Sequence, residues 1–560
     1  MPASLEIAPH NIARYLPMMA RERPTQVAVV MGEGRDRAGK PRYRRLSFAE
    51  LDLVSDRYAW GLSAAGVNRG TRVLSMVPAG LPLISLTFAL FKLGAVPILI
   101  DPAMGRRNLV QCIAECTPEV LVGVPRAHLA RLLFPSAFRS VRLSISVGSS
   151  LVPLGDVNLA DLSVPLRTPF PIADVASDEA AAIIFTTGST GVPKGVLYEH
   201  GMFGAQMRLL RDCFGVAPGE IDMPAFPLFA LFSTALGCTS AIPPIDPTRP
   251  ATCDPAAVVA FVRDQQITST FGSPAIWQKV AAYCQQAGVR LPTLRRVLMA
   301  GAPVPADLHE RFQTILAPDA DTHTPYGATE ALPITTISGR EVLAANLARG
   351  ADPLAGTCIG RPVPEVTLQI ITISDAPLPA WDDALVLPPY QIGEIVVKGP
   401  AVTKSYVARP AATALAKIHD GATLWHRMGD VGYVDAEGRV WFYGRKSHRV
   451  VTATGTLFTE PVELVFAQHP AVARCALVGI GPTGQQTPVV IVEPRNRQVL
   501  RDPSARAALV TELRELGARY AMTAGLGAFL LHPAFPVDIR HNAKIFREQL
   551  AVWAAKQERW

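Results

Sequence analysis

The chain has 560 residues, 49% hydrophobic and 18% charged, a length that calls for several domains or subdomains and a composition that excludes a disordered protein. Lysine and arginine outnumber aspartate and glutamate 54 to 47; the excess is spread along the chain, so it suits an anionic nucleotide and argues against nucleic acid as a partner. None of the eight cysteines forms a C-x-x-C pair, and Cys112 and Cys116 stand at helical spacing without nearby histidines, which points to reduced thiols rather than a metal site.

The first 24 residues mix polar and charged types, so no signal peptide and a cytoplasmic location are expected. Residues 1 to about 180 read as an α/β layer with a parallel sheet. Ser47-Phe48-Ala49-Glu50 is a capping box that opens an amphipathic helix ending near Gly66. A strand follows at 72–77. The apolar stretch 79–100 holds Pro82, Lys92 and Pro97; it splits into a helix (83–93) and a strand (96–100) and is too interrupted to span a membrane. A helix at 109–116 and a strand at 120–124 come next, with Arg106 and Arg107 on a solvated face.

The most informative stretch is Ile183-Ile184-Phe185-Thr186-Thr187-Gly188-Ser189-Thr190-Gly191-Val192-Pro193-Lys194-Gly195-Val196. Its apolar start reads as a buried strand. The glycines allow backbone N–H groups to converge, the hydroxyls add donors and Lys194 adds charge, which together can wrap a phosphate chain. A Ser/Gly turn without a ligand has the same composition. The spacing from Gly188 to Lys194 is not that of a Walker A loop. A helix is expected at 201–214, then an aromatic cluster, Phe226-Pro227-Leu228-Phe229-Ala230-Leu231-Phe232, which fits either core packing or an apolar pocket. Strands are expected at 268–271 and 296–299, the first followed by Gly272-Ser273-Pro274-Ala275-Ile276-Trp277 turning into a helix, the second by Gly301-Ala302-Pro303.

Tyr326-Gly327-Ala328-Thr329-Glu330 combines an aromatic face, a hydroxyl and a hard oxygen ligand. Beyond Gly393 the pattern becomes short strands at 394–398, 431–434 and 440–443, with Asp435-Ala436-Glu437-Gly438 as the hairpin turn between the last two. Asp430 and Arg445 flank that unit; an ion pair inside the sheet is one account of them. Past Arg445 a small α+β domain is expected, with helices at 460–468 and 504–520, the second presenting Leu509, Leu513 and Leu516 on one face, and strands at 475–478, 489–492 and 529–531. Lys544 lies in Asn542-Ala543-Lys544-Ile545-Phe546-Arg547.

These stretches, in this order, resemble the adenylate-forming superfamily, which contains acyl-CoA synthetases, peptide-synthetase adenylation domains and luciferases. The resemblance covers nearly the whole chain. It implies an α/β fold with a large N-terminal adenylate-forming domain of layered sheets and helices (1–445) and a small mobile α+β domain (446–560) that carries the catalytic lysine. It also implies ATP and Mg²⁺. By resemblance Thr186, Thr187, Gly188, Ser189, Thr190, Gly191 and Lys194 hold phosphates; Gly301, Ala302 and Pro303 lie against adenine and Tyr326 stacks on it. Gly327 and Thr329 belong to the same nucleotide motif, Glu330 holds Mg²⁺, and Asp430 binds the ribose beside Arg445. Lys544 is the catalytic lysine, with Ala543 in place of the usual glycine. Ser447 stands at the hinge, where aspartate or lysine is usual, and Val451 replaces a lysine common just after it. Phe229, Ala230, Phe232, Gly272 and Trp277 fall where the family binds the acyl group; a histidine or aromatic residue often stands at the place of Ala230, so the pocket is roomier or differently gated.

Tyr198-Glu199-His200-Gly201-Met202, the 226–232 cluster, Asp246-Pro247-Thr248-Arg249-Pro250 and His323-Thr324-Pro325 further resemble the β-lactone synthetases of bacterial long-chain olefin biosynthesis. That resemblance implies a 2-alkyl-3-hydroxyalkanoic acid substrate, activated as acyl-AMP and closed by its own β-hydroxyl to a cis-β-lactone. It also implies association with other olefin-pathway enzymes, a β-lactone decarboxylase and a reductase. A long-chain acyl-CoA or acyl-carrier ligase is the alternative. An inactive nucleotide-binding protein would be expected to lose Lys544 or Glu330, and both are present.

Overall fold

Seven strands make one sheet, in the order Val157–Asn158, Leu143–Ser146, Val120–Gly123, Arg72–Met76, Val96–Leu99, Ala180–Thr186 and Lys194–Glu199, in the computed structural model, which describes residues 10–101, 104–148, 155–162, 168–186, 193–348, 352–538 and 544–557. Neighbours are parallel except the last two, which form an antiparallel hairpin. The helices Leu81–Leu93 and Arg106–Cys116 supply crossovers. Arg106 and Arg107 open the second of these and are exposed.

A 14-stranded sheet forms the other large layer. Its centre is parallel, running through Thr239–Ile242, Ile221–Pro224, Ser269–Gly272, Arg296–Met299 and Asp321–Ala328. Antiparallel strands continue it through Ala331–Ser338 and Thr357–Pro362 to Val440–Arg445 and Thr423–Val434. Strands Val27–Arg35 and Pro41–Ser47 also join this sheet, the first lying parallel to Thr239–Ile242. The first 180 residues therefore feed two layers rather than the expected one. An apolar pattern marks a strand but does not name its neighbour.

Helix Phe48–Ala64 starts on the expected capping box: Ser47 Oγ accepts from Glu50 N at 3.2 Å, and Glu50 Oε2 accepts from Ser47 N at 2.7 Å. It packs on Leu81–Leu93. That helix is apolar nearly all round because it lies inside the protein, where Phe88 and Phe91 share a cluster with Met202, Phe203 and Met207 of helix His200–Phe214. Lys92, only 1% exposed, is neutralised by Asp52 at 2.6 Å and Asp56 at 2.5 Å. Among the described residues no helix is long and apolar enough to cross a membrane.

After Arg445 a three-stranded sheet, Val472–Ile480, Thr487–Pro494 and Phe529–Leu531, packs with helices Thr459–Ala467, Pro503–Gly517 and Arg547–Ala554. Val462, Phe466, Leu477, Val490, Leu513 and Phe529 share one of its two cores. Leu509 and Leu513 are buried on the expected face, and Leu516 packs against them half-buried. The turn at 435–438 is present, with Gly438 N donating to Asp435 O at 3.0 Å, but the strand before it runs the full length Thr423–Val434. All eight cysteines are free thiols, and burial pushes those of Cys112 and Cys116 up to about 12.

Candidate active site

Strands of the large sheet end in the expected residues. Ser269–Gly272 ends at Gly272, and Gly301, Ala302 and Pro303 follow Arg296–Met299 in an open loop, Gly301 at φ +91°. The carboxyl ends of parallel strands are the usual crevice for a ligand in such sheets. Tyr326 lies in Asp321–Ala328, which turns through Thr329 and Glu330 into Ala331–Ser338; the motif is a β-hairpin. Gly327 has no room for a side chain, since a Cβ would stand 2.7 Å from Ala331 O and 2.8 Å from Leu332 Cδ1.

Tyr326 reaches across to the antiparallel pair Thr423–Val434 and Val440–Arg445. Its hydroxyl donates to Asp430 Oδ2 at 2.5 Å. Asp430 stands opposite Arg445 in register, with Oδ1 3.0 Å from Arg445 Nη1. That oxygen is buried and has no aligned hydrogen-bond donor, whereas Arg445 donates from the same nitrogen to Met428 O at 3.2 Å. Burial pushes the Asp430 carboxyl up, opposed by Arg445, Tyr326 and Lys544. The Arg445 guanidinium beside that oxygen offsets part of the cost of burying it. The ion pair weighed from sequence is therefore present, between Asp430 and Arg445.

Glu330 is held from several sides. Its carbonyl accepts from Thr403 N at 2.8 Å and Thr403 Oγ1 at 3.0 Å, and its Oε1 accepts from Tyr406 OH at 2.7 Å. The neighbouring Thr329 carbonyl accepts from Tyr198 OH at 2.5 Å. Lys194 Nζ lies 4.8 Å from the centroid of the Tyr406 ring, a cation–π contact. Tyr406 arrives through a short bridge, Tyr406 against Val196, on the strand that follows the glycine-rich loop. Behind it, buried Lys417 donates from Nζ to the Thr403 carbonyl, and burial lowers its pKa to about 7. Tyr406, Thr403 and Lys417 were missed by sequence reasoning; none sits in a motif, and only the fold brings them to Glu330. Thr186 ends its strand in antiparallel register with Lys194. The expected phosphate-binding residues Thr187, Gly188, Ser189, Thr190 and Gly191 lie outside the described residues.

No group of three or more His, Cys, Asp or Glu side chains able to hold a metal occurs among the described residues. A single carboxylate on a rigid hairpin is the donor set that fits Mg²⁺, which takes few protein oxygens and completes its shell with water and phosphate. Lys544 immediately precedes Ile545, which forms a short bridge with Val537, and its carbonyl accepts from Asp538 N at 2.9 Å. Its charge reaches Asp430. Arg547, three residues on, is pinned to Glu463 at 2.6 Å and fixes this segment on helix Thr459–Ala467. Ser447 is exposed. It stands between Lys446, tied to Glu394 at 2.8 Å, and His448, which is 3.3 Å from Glu548.

Of the expected acyl-binding residues, Phe229 and Phe232 line a narrow apolar chamber with Phe271, Leu298 and Pro325. Ala230 is fully buried below it, its carbonyl accepting from Ser240 Oγ at 3.2 Å. Trp277 is fully buried, edge-on to Phe312. Gly272 is what admits its indole, because a Cβ there would stand 2.9 Å from Trp277 Nε1. Ala230, Gly272 and Trp277 are not among the residues lining the chamber.

Tyr326, Asp430 and Arg445 thus meet at one place in the large domain, and Glu330, Tyr406 and Lys194 at another. The chain belongs to the AMP-binding enzyme family, whose model matches residues 17–407. It is 48% identical over 554 residues to the olefin beta-lactone synthetase of Xanthomonas campestris pv. campestris, covering 98% of each chain. It is also 48% identical over 558 residues to the olefin beta-lactone synthetase of Stenotrophomonas maltophilia, covering 98% of this chain and 99% of that one. Its fold is that of O-succinylbenzoate Coenzyme A Synthetase from Bacillus subtilis, solved in complex with ATP and magnesium ion: TM-score 0.72 and 21% identity, covering 96% of this chain and 98% of that one.

Proposed function

We propose that this protein is an ATP-dependent β-lactone synthetase that converts a long-chain 2-alkyl-3-hydroxyalkanoic acid to a cis-β-lactone, AMP and pyrophosphate. The observation that carries the reading is the 48% identity along the whole length of two olefin beta-lactone synthetases. In the first step a carboxylate oxygen attacks the α-phosphorus of ATP and pyrophosphate leaves. Both partners are anionic, so the protein contributes position and charge neutralisation. Lys544 and Lys194 supply positive charge, Asp430 accepts from the ribose, and Glu330 would hold Mg²⁺, which neutralises phosphate charge. In the second step the β-hydroxyl oxygen attacks the acyl carbonyl, its proton is lost and AMP leaves. A tethered hydroxyl has a high effective concentration, and the apolar surroundings exclude competing water.

The same reading divides the chain at 445/446, with Ser447 as the pivot of a mobile C-terminal domain. It places the protein in the cytoplasm, in contact with the enzymes that supply the hydroxy acid and consume the lactone. The test uses the purified protein, ATP, Mg²⁺ and a long-chain 2-alkyl-3-hydroxy acid, with and without CoA, and identifies products by NMR. The expected products are a β-lactone, AMP and pyrophosphate without CoA. Rapid CoA-dependent thioester formation from plain fatty acids, with no lactone from the hydroxy acid, would overturn the proposal in favour of an acyl-CoA ligase.

A further inference from the structure

A short strap, residues 402–407, joins the two large sheets at the candidate site. At one end Val402 bridges to Ala331, the residue after Glu330. At the other Tyr406 bridges to Val196, two residues after Lys194. Backbone bonds from Leu197 N to Ser405 O at 3.2 Å and from Val407 N to Gly195 O at 2.8 Å complete that seam. The strap therefore sets where Glu330 stands relative to the strand that carries Lys194. Near its start Thr403, fully buried, donates to the Glu330 carbonyl from both its N–H and its hydroxyl.

The Thr403 carbonyl in turn accepts from Nζ of Lys417, the first residue of strand Lys417–Asp420. Lys417 is only 4% exposed, and the charge that favours its protonated form against burial is that of Glu330. A methionine would fill the same space without the cost of burying an ammonium. What the ammonium adds is its hold on the strap. We propose that Lys417 is a positioning residue for the metal and phosphate site: it pegs the strap at Thr403 and so holds Glu330 in place against Lys194 across the two sheets. This rests on the proposed function, in which Glu330 holds Mg²⁺ and Lys194 meets phosphate. In this role Lys417 touches neither metal nor nucleotide and acts through Thr403 alone.

The test is calorimetry of Mg·ATP binding without any acid, with AMP offered free of Mg²⁺ as the control. In the proposed function AMP draws on Tyr326 and Asp430 but not on Glu330. Lys417→Met removes the peg and keeps most of the volume. Thr403→Val removes only the hydroxyl that donates to Glu330, and melting curves check the folding of both. Lys417→Met is expected to weaken Mg·ATP about tenfold or more, the scale of a hydrogen bond from a charged group, and Thr403→Val about fivefold. Both should bind AMP within twofold of wild type. The inference is overturned if Lys417→Met binds Mg·ATP within twofold of wild type. It is equally overturned if AMP affinity falls as far as that for Mg·ATP, which is what a merely structural role gives. If Lys417→Met does not fold, Thr403→Val decides, and unchanged Mg·ATP binding by it overturns the inference. A wild-type protein that binds Mg·ATP but forms no lactone overturns the proposed function and leaves the strap result readable.

Discussion

Asp430 holds an arginine and a tyrosine, and in the proposed function a ribose hydroxyl as well. Lys544 adds a fourth influence, since its charge is among those that hold the Asp430 carboxyl down against burial. The lysine is mounted by its backbone: the Asp538 N–H bonds its carbonyl, and Arg547 anchors the segment through Glu463. Removing the side chain therefore spares the mounting. Lys544→Ala is expected to lower pyrophosphate release by about 10²-fold or more, the usual loss when a charge contact to the transition state disappears. Its melting temperature should match the wild type. Near-normal pyrophosphate release would remove Lys544 from the chemistry.

The hairpin from Asp321–Ala328 to Ala331–Ser338 is the element on which the candidate site is built. It places Tyr326 toward Asp430 and holds Glu330 in its turn. Tyr198, Thr403 and Tyr406 brace that turn from outside. Tyr406→Phe keeps the ring beside Lys194 and removes only the hydroxyl that donates to Glu330. A hydrogen bond to a charged group contributes about 1.5–3 kcal/mol, so the Mg²⁺ concentration for half-maximal pyrophosphate release should rise about tenfold or more. An unchanged Mg²⁺ titration would argue against Glu330 as the metal ligand or against Tyr406 as its support. The hairpin's own residues were legible from sequence because they form a contiguous motif of distinct chemistry. The capping box at Ser47, the strand Arg296–Met299 and the turn after Val434 were legible because local pattern decides them. Tyr406 was not, because its place depends on a bridge to Val196, far away in the chain.

At the scale of the whole molecule, the C-terminal elements meet the large sheet through polar side chains. Thr357, on a strand of that sheet, donates to Glu460 Oε1 at 2.5 Å, at the start of helix Thr459–Ala467. Beside burial, the groups that act on Glu460 are Thr357, whose hydrogen bond lowers its pKa, Glu463, which raises it, and Arg547, which lowers it. Burial dominates and pushes Glu460 up to about 7 from an ordinary 4.5. A raised carboxyl favours the folded state in its protonated form. Its contribution is thus fully present below about pH 4.5, declines as pH rises and is lost above about 7. Glu460→Gln keeps an acceptor for Thr357 and cannot ionise. Its stability relative to wild type should therefore grow between about pH 4.5 and 7 and then level off, reaching on the order of 1–3 kcal/mol after allowance for the partial exposure of this side chain. The difference between the two proteins, rather than either curve alone, is the measurement to make. His200 and His309 are buried with pKa values lowered to about 4, and protonating them on acidification destabilises the fold in the opposite sense. Thermal denaturation of both full-length proteins across pH 4.5–8.5 checks this. A difference independent of pH would show that Glu460 does not titrate at this junction.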